Sequence, residues 1–182
     1  MKSHNFKNEV GHQVPDIVHF SNSPSIFTKA ECLFAATVDK LKHILPYAEF
    51  QHIGSTAIPG TLTKGDLDIV VRVSLDKFDE ADQRLAKIFE RNDGSLRSRD
   101  FAAFQESKSE PELGVQLVAI GAEIDHFHIW RQLLESDTEL RHKYNELKRN
   151  FEGKPMSLYR EAKAKFIEAS LRANSPIQVS LI

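Results

Sequence analysis

Cysteine is almost missing from these 182 residues; Cys32 stands alone. That excludes an intramolecular disulfide and any metal centre built on several thiolates. No charge of one sign prevails. Lys and Arg number 24 against 26 Asp and Glu, a formal net charge of −2. This argues against a general nucleic-acid binder, which carries a basic excess, while leaving room for a small phosphorylated substrate. No apolar run approaches the roughly 20 residues of a membrane span. The opening residues Met1 to Val10 are polar and lack the apolar stretch of a signal peptide. Internal repeats and low-complexity tracts are also lacking. These absences lead us to expect a soluble cytoplasmic protein with no membrane partner. Its composition, 41% hydrophobic and 27% charged, is that of a globular chain with enough apolar side chains for a core.

The organisation reads as one domain over residues 23–173. A polar, poorly ordered segment precedes it (1–22), in which Val14, Ile17 and Phe20 offer some anchorage, and a mobile tail follows (174–182). Ser25 to Leu45 carries Ile26, Ala30, Leu33, Phe34, Val38 and Leu41 at helical spacing and is stopped by Pro46. Tyr47 to Ile53 reads as a strand. Ser55 to Gly65 reads as a loop punctuated by Pro59, Gly60 and Gly65. Leu75 to Arg91 has an amphipathic stripe (Phe78, Ala81, Leu85, Ile88, Phe89). Asp100 to Glu106 and Gly114 to Ile120 form two strands joined by a polar hairpin. From Asp125 the chain turns helical. Pro155 opens a last helix, and Tyr144, Leu147, Leu158 and Phe166 are expected to pack inward. The order predicts an α+β fold: a small mixed β-sheet with helices packed on one face and a helical C-terminal third.

The most informative stretch is His52 to Val73, HIGSTAIPGTLTKGDLDIVVRV. In the strand Asp66 to Val73, Leu67, Ile69, Val71 and Val73 point one way and Asp66, Asp68, Val70 and Arg72 the other. Two aspartates at i and i+2 share a face, about 6–7 Å apart. Aspartate is a poor strand former, and two like charges on one face repel. The pair suits a hard divalent cation: Mg²⁺ takes one or two protein carboxylates and completes its shell with water and phosphate oxygens. Gly54 lets the backbone approach a phosphate. Ser55 and the N–H groups after it donate to anionic oxygens. Donors for a phosphate chain and acids for its metal thus lie one loop apart, which suits phosphoryl or nucleotidyl transfer by positioning and charge neutralisation.

Gly54-Ser55, ten intervening residues and Asp66-Leu67-Asp68-Ile69 resemble the signature of the polymerase-β-type nucleotidyltransferase fold. HIGSTAIPG, TKGDLDIVVRV, YNELKRNF (Tyr144 to Phe151) and YREAKAKFI (Tyr159 to Ile167) resemble, in order, the landmarks of one branch of it, the GrpB family (UPF0157). The resemblance runs from about Phe27 to Leu171. It implies a nucleotidyltransferase-type sheet, phosphate-loop roles for Gly54 and Ser55, a loop turn at Pro59-Gly60, a lysine before the acidic strand at Lys64, and an acid at Asp68. Many members have an apolar residue where this chain has Asp66. Active enzymes of the fold usually add a third carboxylate from a neighbouring strand. The strand GVQLVAI has Gln116 instead, with Val118 where many members show the second histidine of a His-x-His pair. Glu123 and Asp125 follow just after it. Fusions of GrpB-type domains to dephospho-coenzyme A kinase imply, through the resemblance, a link to coenzyme A metabolism.

Each residue also has a plainer reading. Asp66 and Asp68 are alternatively edge-strand acids that discourage sheet pairing. Arg72 is either a phosphate contact or half of an ion pair. Lys148 and Lys163 each follow a tyrosine by four residues on one helix face; they either snorkel over it or close over phosphates. His126 and His128, at i and i+2, fall on different helix faces. His52 reads as packed and Trp130 as core. The expected function is a Mg²⁺-dependent nucleotidyltransferase taking a nucleoside triphosphate or related phosphorylated molecule, with an unnamed acceptor. The expected roles are Asp66 and Asp68 for metal and catalysis, and Gly54, Ser55, Lys64, Arg72, Lys148 and Lys163 for substrate. The alternatives are a non-catalytic phosphometabolite-binding or regulatory domain and a protein-interaction module.

Overall fold

The protein is described here from a computed structural model, over residues 16–174. Five strands form one mixed sheet: β1 (Glu49–Ile53), β2 (Leu67–Val73), β3 (Glu90–Arg91), β4 (Phe101–Glu106) and β5 (Leu113–Ala119), in spatial order β1-β2-β5-β4-β3. Only β2 and β5 run parallel; the other neighbours are antiparallel. Five helices lie among the described residues: α1 (Pro24–Ile44), α2 (Phe78–Leu85), α3 (Phe127–Ser136), α4 (Thr138–Phe151) and α5 (Met156–Ala173). The α+β class, the mixed sheet and the helical C-terminal third are as expected from the sequence. None of the described helices is long and apolar enough to cross a membrane.

The period-2 pattern of β2 gives the sheet two unlike faces. Leu67, Ile69, Val71 and Val73 join Val115, Leu117 and Phe104 beneath α1 and α2, burying Leu41, Leu45, Phe78 and Leu85 with them. Burying such side chains contributes about 1.5–3 kcal/mol each. The other face carries Asp68, Val70 and Arg72. It is floored by Ile53, Phe101, Ala103 and Val118. The expectation of helices on one face alone is therefore too simple, because Phe127 at the start of α3 packs against this second floor. The C-terminal helices build their own cluster, in which Trp130, Leu134 and Tyr144 are buried with Ile58 of the loop.

Three local expectations change. The helix expected over Leu75 to Arg91 is a single turn (Leu75–Lys77) followed by the short α2. Ile88 is 46% exposed, and Arg91 leaves the helical path to hold Asp82 through two 2.8 Å bonds while Glu90–Arg91 pairs with β4. Leu158 does not pack inward but stands 51% exposed, because α5 turns Tyr159 towards Val18 and Phe20 instead. Finally, the segment expected to be loose is tied down from Asp16 onward. Ser21 and Thr63 exchange backbone bonds, Val18 bonds to Lys154 and Gly153, and Met156 donates to Asp16. Residues 1–15 and 175–182, which include Val14 and nearly all of the expected tail, lie outside the described residues.

Candidate functional site

The Asp68 carboxylate sits in a cradle made by two glycines. Gly54 ends β1 with φ +75°, a left-handed conformation that disfavours any side chain. A Cβ there would lie 2.6 Å from Asp68 Oδ2. Gly114 is the in-register partner of Asp68 on β5, and a Cβ there would lie 2.8 Å from Oδ1. Among the described residues no side chain or backbone N–H donates to this carboxylate. Burial, and then the charge of Asp66, push its pKa up to about 6, against the pull of Lys163 and Lys64. Asp66 immediately precedes β2 and accepts from Lys64 at 2.8 Å. Burial pushes its pKa up, but Lys64 and Lys163 outweigh that and hold it below the usual carboxylate range. The two acids differ: Asp66 is ion-paired with Lys64, whereas Asp68, although Lys163 and Lys64 act on it, has no hydrogen-bond donor among the described residues and keeps a raised pKa.

The loop facing them is held from three sides. Ser55–Ala57 forms a single turn. The Thr56 hydroxyl donates to the Asp66 carbonyl at 2.9 Å and lies 3.0 Å from Nε2 of His52, whose Nδ1 is 3.1 Å from Glu31. Burial lowers the His52 pKa, opposed by Glu31. From above, α4 clamps the loop: Asn145 accepts from Leu62 N and donates to Gly60 O, and the fully buried Lys148 donates to Ser55 Oγ and to Leu62 O.

Lys163, half-buried on α5, lies within electrostatic reach of both acids. Tyr144 first, then Asp68 and Asp66, raise its pKa against burial and Arg160. It also lines a groove of about 820 Å³ between α5, Phe101 and the Glu123–Phe127 segment, within the usual size range of a small-molecule site. Arg72 is spent elsewhere on the same face. It grips Asp125 through two 2.7 Å bonds and donates to Glu49. Asp125 also accepts from Gly121 N, so it is locked to Arg72 rather than free to join the pair. Gln116 stands one in-register step from Gly114, opposite Val70. Among the described residues no group of three His, Cys, Asp or Glu side chains converges as a metal site.

The family profile described as GrpB protein matches residues 29–173. The chain belongs to the GrpB family. A UPF0157 protein from Vibrio cholerae serotype O1 is 32% identical over 157 residues, covering 86% of this chain and 83% of that one. Among solved structures, GrpB from Enterococcus faecalis superposes with a TM-score of 0.56 at 18% identity, covering 81% of this chain and 96% of that one. A structure of Cid1, described in connection with RNA terminal uridylyl transferase activity, gives 0.52 at 18% identity over 70% of this chain and 40% of that one. At that identity the likeness speaks to the fold, which is nucleotidyltransferase-like.

In this GrpB chain the structure sets Gly54 against Asp68 and Lys64 against Asp66, with Ser55 next to Gly54 and Lys163 near enough for both acids to raise its pKa. It separates Arg72, held at the far end of β2, and turns Lys148 into the loop instead of the open side. Sequence reasoning missed Gly114 and Asn145. Asn145 sits three residues before Lys148, so the helical spacing that placed Lys148 could also have flagged it. Gly114 carries no signal until the β2–β5 register is known.

Proposed function

We propose that this GrpB protein binds a nucleoside triphosphate together with Mg²⁺ across the Gly54–Ser55 turn and the Asp66/Asp68 pair. The observation that carries this reading is the Asp68 carboxylate, cleared by two glycines and lacking a hydrogen-bond donor among the described residues. A half-buried, unpaired carboxylate is unfavourable in the free protein unless a cation shares it. Two acids without a third suit Mg²⁺, which fills its remaining positions with water and phosphate oxygens; bound there, it would neutralise phosphate charge. Ser55 and the N–H groups of its turn donate to the phosphates, Lys163 adds a positive charge from α5, and Lys64 keeps Asp66 ionised and oriented. The groove beside Lys163 has room for the rest of the molecule.

Nucleotidyl transfer to an acceptor is the second reading. The fold shared with Cid1 favours it. Gln116 bears against it, because an amide can orient an acceptor hydroxyl but cannot take its proton. A thermal-shift screen of the four ribonucleoside triphosphates and coenzyme A precursors, with and without Mg²⁺, tests the binding claim. A ligand at about 100 times its Kd adds roughly 2.7 kcal/mol of stability. Mg²⁺-dependent stabilisation by a triphosphate is the expected result; no shift with any of them contradicts it.

A further inference from the structure

Lys148 is completely shielded from solvent. Its amine donates to the Ser55 oxygen at 2.5 Å and to the Leu62 carbonyl, and lies 4.1 Å from the centre of the Tyr144 ring. An ammonium group has three N–H bonds and no lone pair. Two hydrogen bonds and a cation–π contact account for all three. In that state Ser55 can only accept from Lys148, so its own proton must go elsewhere. Among the described residues no protein acceptor takes it. The hydroxyl is left as a donor, half-buried on the same turn as Gly54. With one proton fewer, Lys148 has a lone pair. It can keep its bond to Leu62 and accept from Ser55, and the serine then turns its oxygen lone pairs outward, which is repulsive to a phosphate oxygen.

We propose that Lys148 is a buried positioning residue whose charge state decides whether Ser55 offers a hydrogen to an anionic ligand, so that anion binding at Ser55 draws a proton into Lys148. The inference rests on the nucleotide reading, in which Ser55 is a phosphate donor, and adds a residue that never touches the ligand. The surroundings favour the neutral form of the amine. Burial first, then the charges of Lys163 and Lys64, hold Lys148 well below the usual lysine range, with Asp66 opposing them. Tyr144, on the same helix, is the titratable group that its amine touches, and Tyr159 on α5, whose own pKa burial raises, bonds to Tyr144 in turn.

Calorimetric titration of MgATP at about pH 8.5, in two buffers of different ionisation enthalpy, tests this directly. At that pH the Asp68 carboxyl, which titrates near 6, is ionised. His52 and His128, both lowered by burial, are neutral. The parent should take up protons as it binds, and its affinity should weaken as pH rises. Lys148→Met should bind with no uptake and a flat pH profile. Ser55→Ala, which keeps the lysine but cuts its link to the ligand, should also lose the uptake, and it decides the matter if the methionine variant does not fold. MgATP binding by the parent without uptake, or uptake that survives Ser55→Ala, overturns the role of Lys148 alone. No binding by the parent overturns the nucleotide reading and this inference with it.

Discussion

Replacing Asp68 with Asn should make the free protein more stable while abolishing the Mg²⁺-dependent nucleotide binding proposed above. The side chain keeps its shape, so the two glycines still accommodate it. What disappears is a charge whose burial and proximity to Asp66 outweigh the pull of Lys163 and Lys64. Lifting the carboxyl from 3.8 to about 6 corresponds, at 1.36 kcal/mol per pH unit, to about 3 kcal/mol of cost in the ionised form. The new amide brings N–H groups with no acceptor waiting, which offsets about 1 kcal/mol. A net gain of about 2 kcal/mol is expected, or roughly 4–8 °C in Tm for a domain of this size. The folded carboxyl holds its proton more tightly than the unfolded one. Its cost is therefore complete above about pH 6 and gone below about pH 4. Thermal unfolding of parent and variant across that range should show a wide gap at neutral pH that closes as pH falls. A variant less stable than the parent at neutral pH, or a gap indifferent to pH, would refute the reasoning.

Gly114→Ala places a methyl 2.8 Å from Asp68 Oδ1 on an otherwise ordinary strand backbone. It should cost about 1–3 kcal/mol in urea unfolding, and much of that should be relieved in the Asp68→Ala background, a coupling that a double-mutant cycle measures. Arg72→Met leaves the buried Asp125 without its bidentate partner and should cost about 3–5 kcal/mol. Nucleotide affinity of the protein that still folds should be unchanged in a binding titration. Asn145→Ala removes both side-chain bonds to the loop; denaturant unfolding should show a loss of about 1–3 kcal/mol, because the Leu62 N–H and Gly60 carbonyl lose their partners.

The alternation of β2 and the helical stripes of α1 and the C-terminal third were legible because burial imposes the period of each element on its apolar residues. So was the turn at Gly54-Ser55 beside the paired aspartates, through the glycine and the alternation that follows it, and the structure sets that turn against Asp68. The length of α2 was not. Ile88 and Phe89 continue its apolar stripe, but the Arg91–Asp82 pair and the β4 edge compete for the end of that helix. Lys148 illustrates a deeper limit. Its helical position was readable, yet whether a lysine covers a ligand or plugs the loop beneath it depends on how α4 crosses Leu62 and Ser55, which is a tertiary fact. The same holds for Asp125, readable as a carboxylate near the site but committed to Arg72 fifty-three residues away. Gly114 gained its meaning only when the strand register set it opposite Asp68.

The central claim is that Asp66 and Asp68 hold a divalent cation with a nucleotide. Electron paramagnetic resonance of Mn²⁺, titrated in the presence of ATP into the parent and into Asp68→Asn, tests it most directly. The parent should capture the ion in a nucleotide-dependent complex that excess Mg²⁺ displaces, and the variant should leave the free-ion signal of the Mn²⁺–ATP solution unchanged. Equal capture by parent and variant would show that the two aspartates are surface charges and not a metal site.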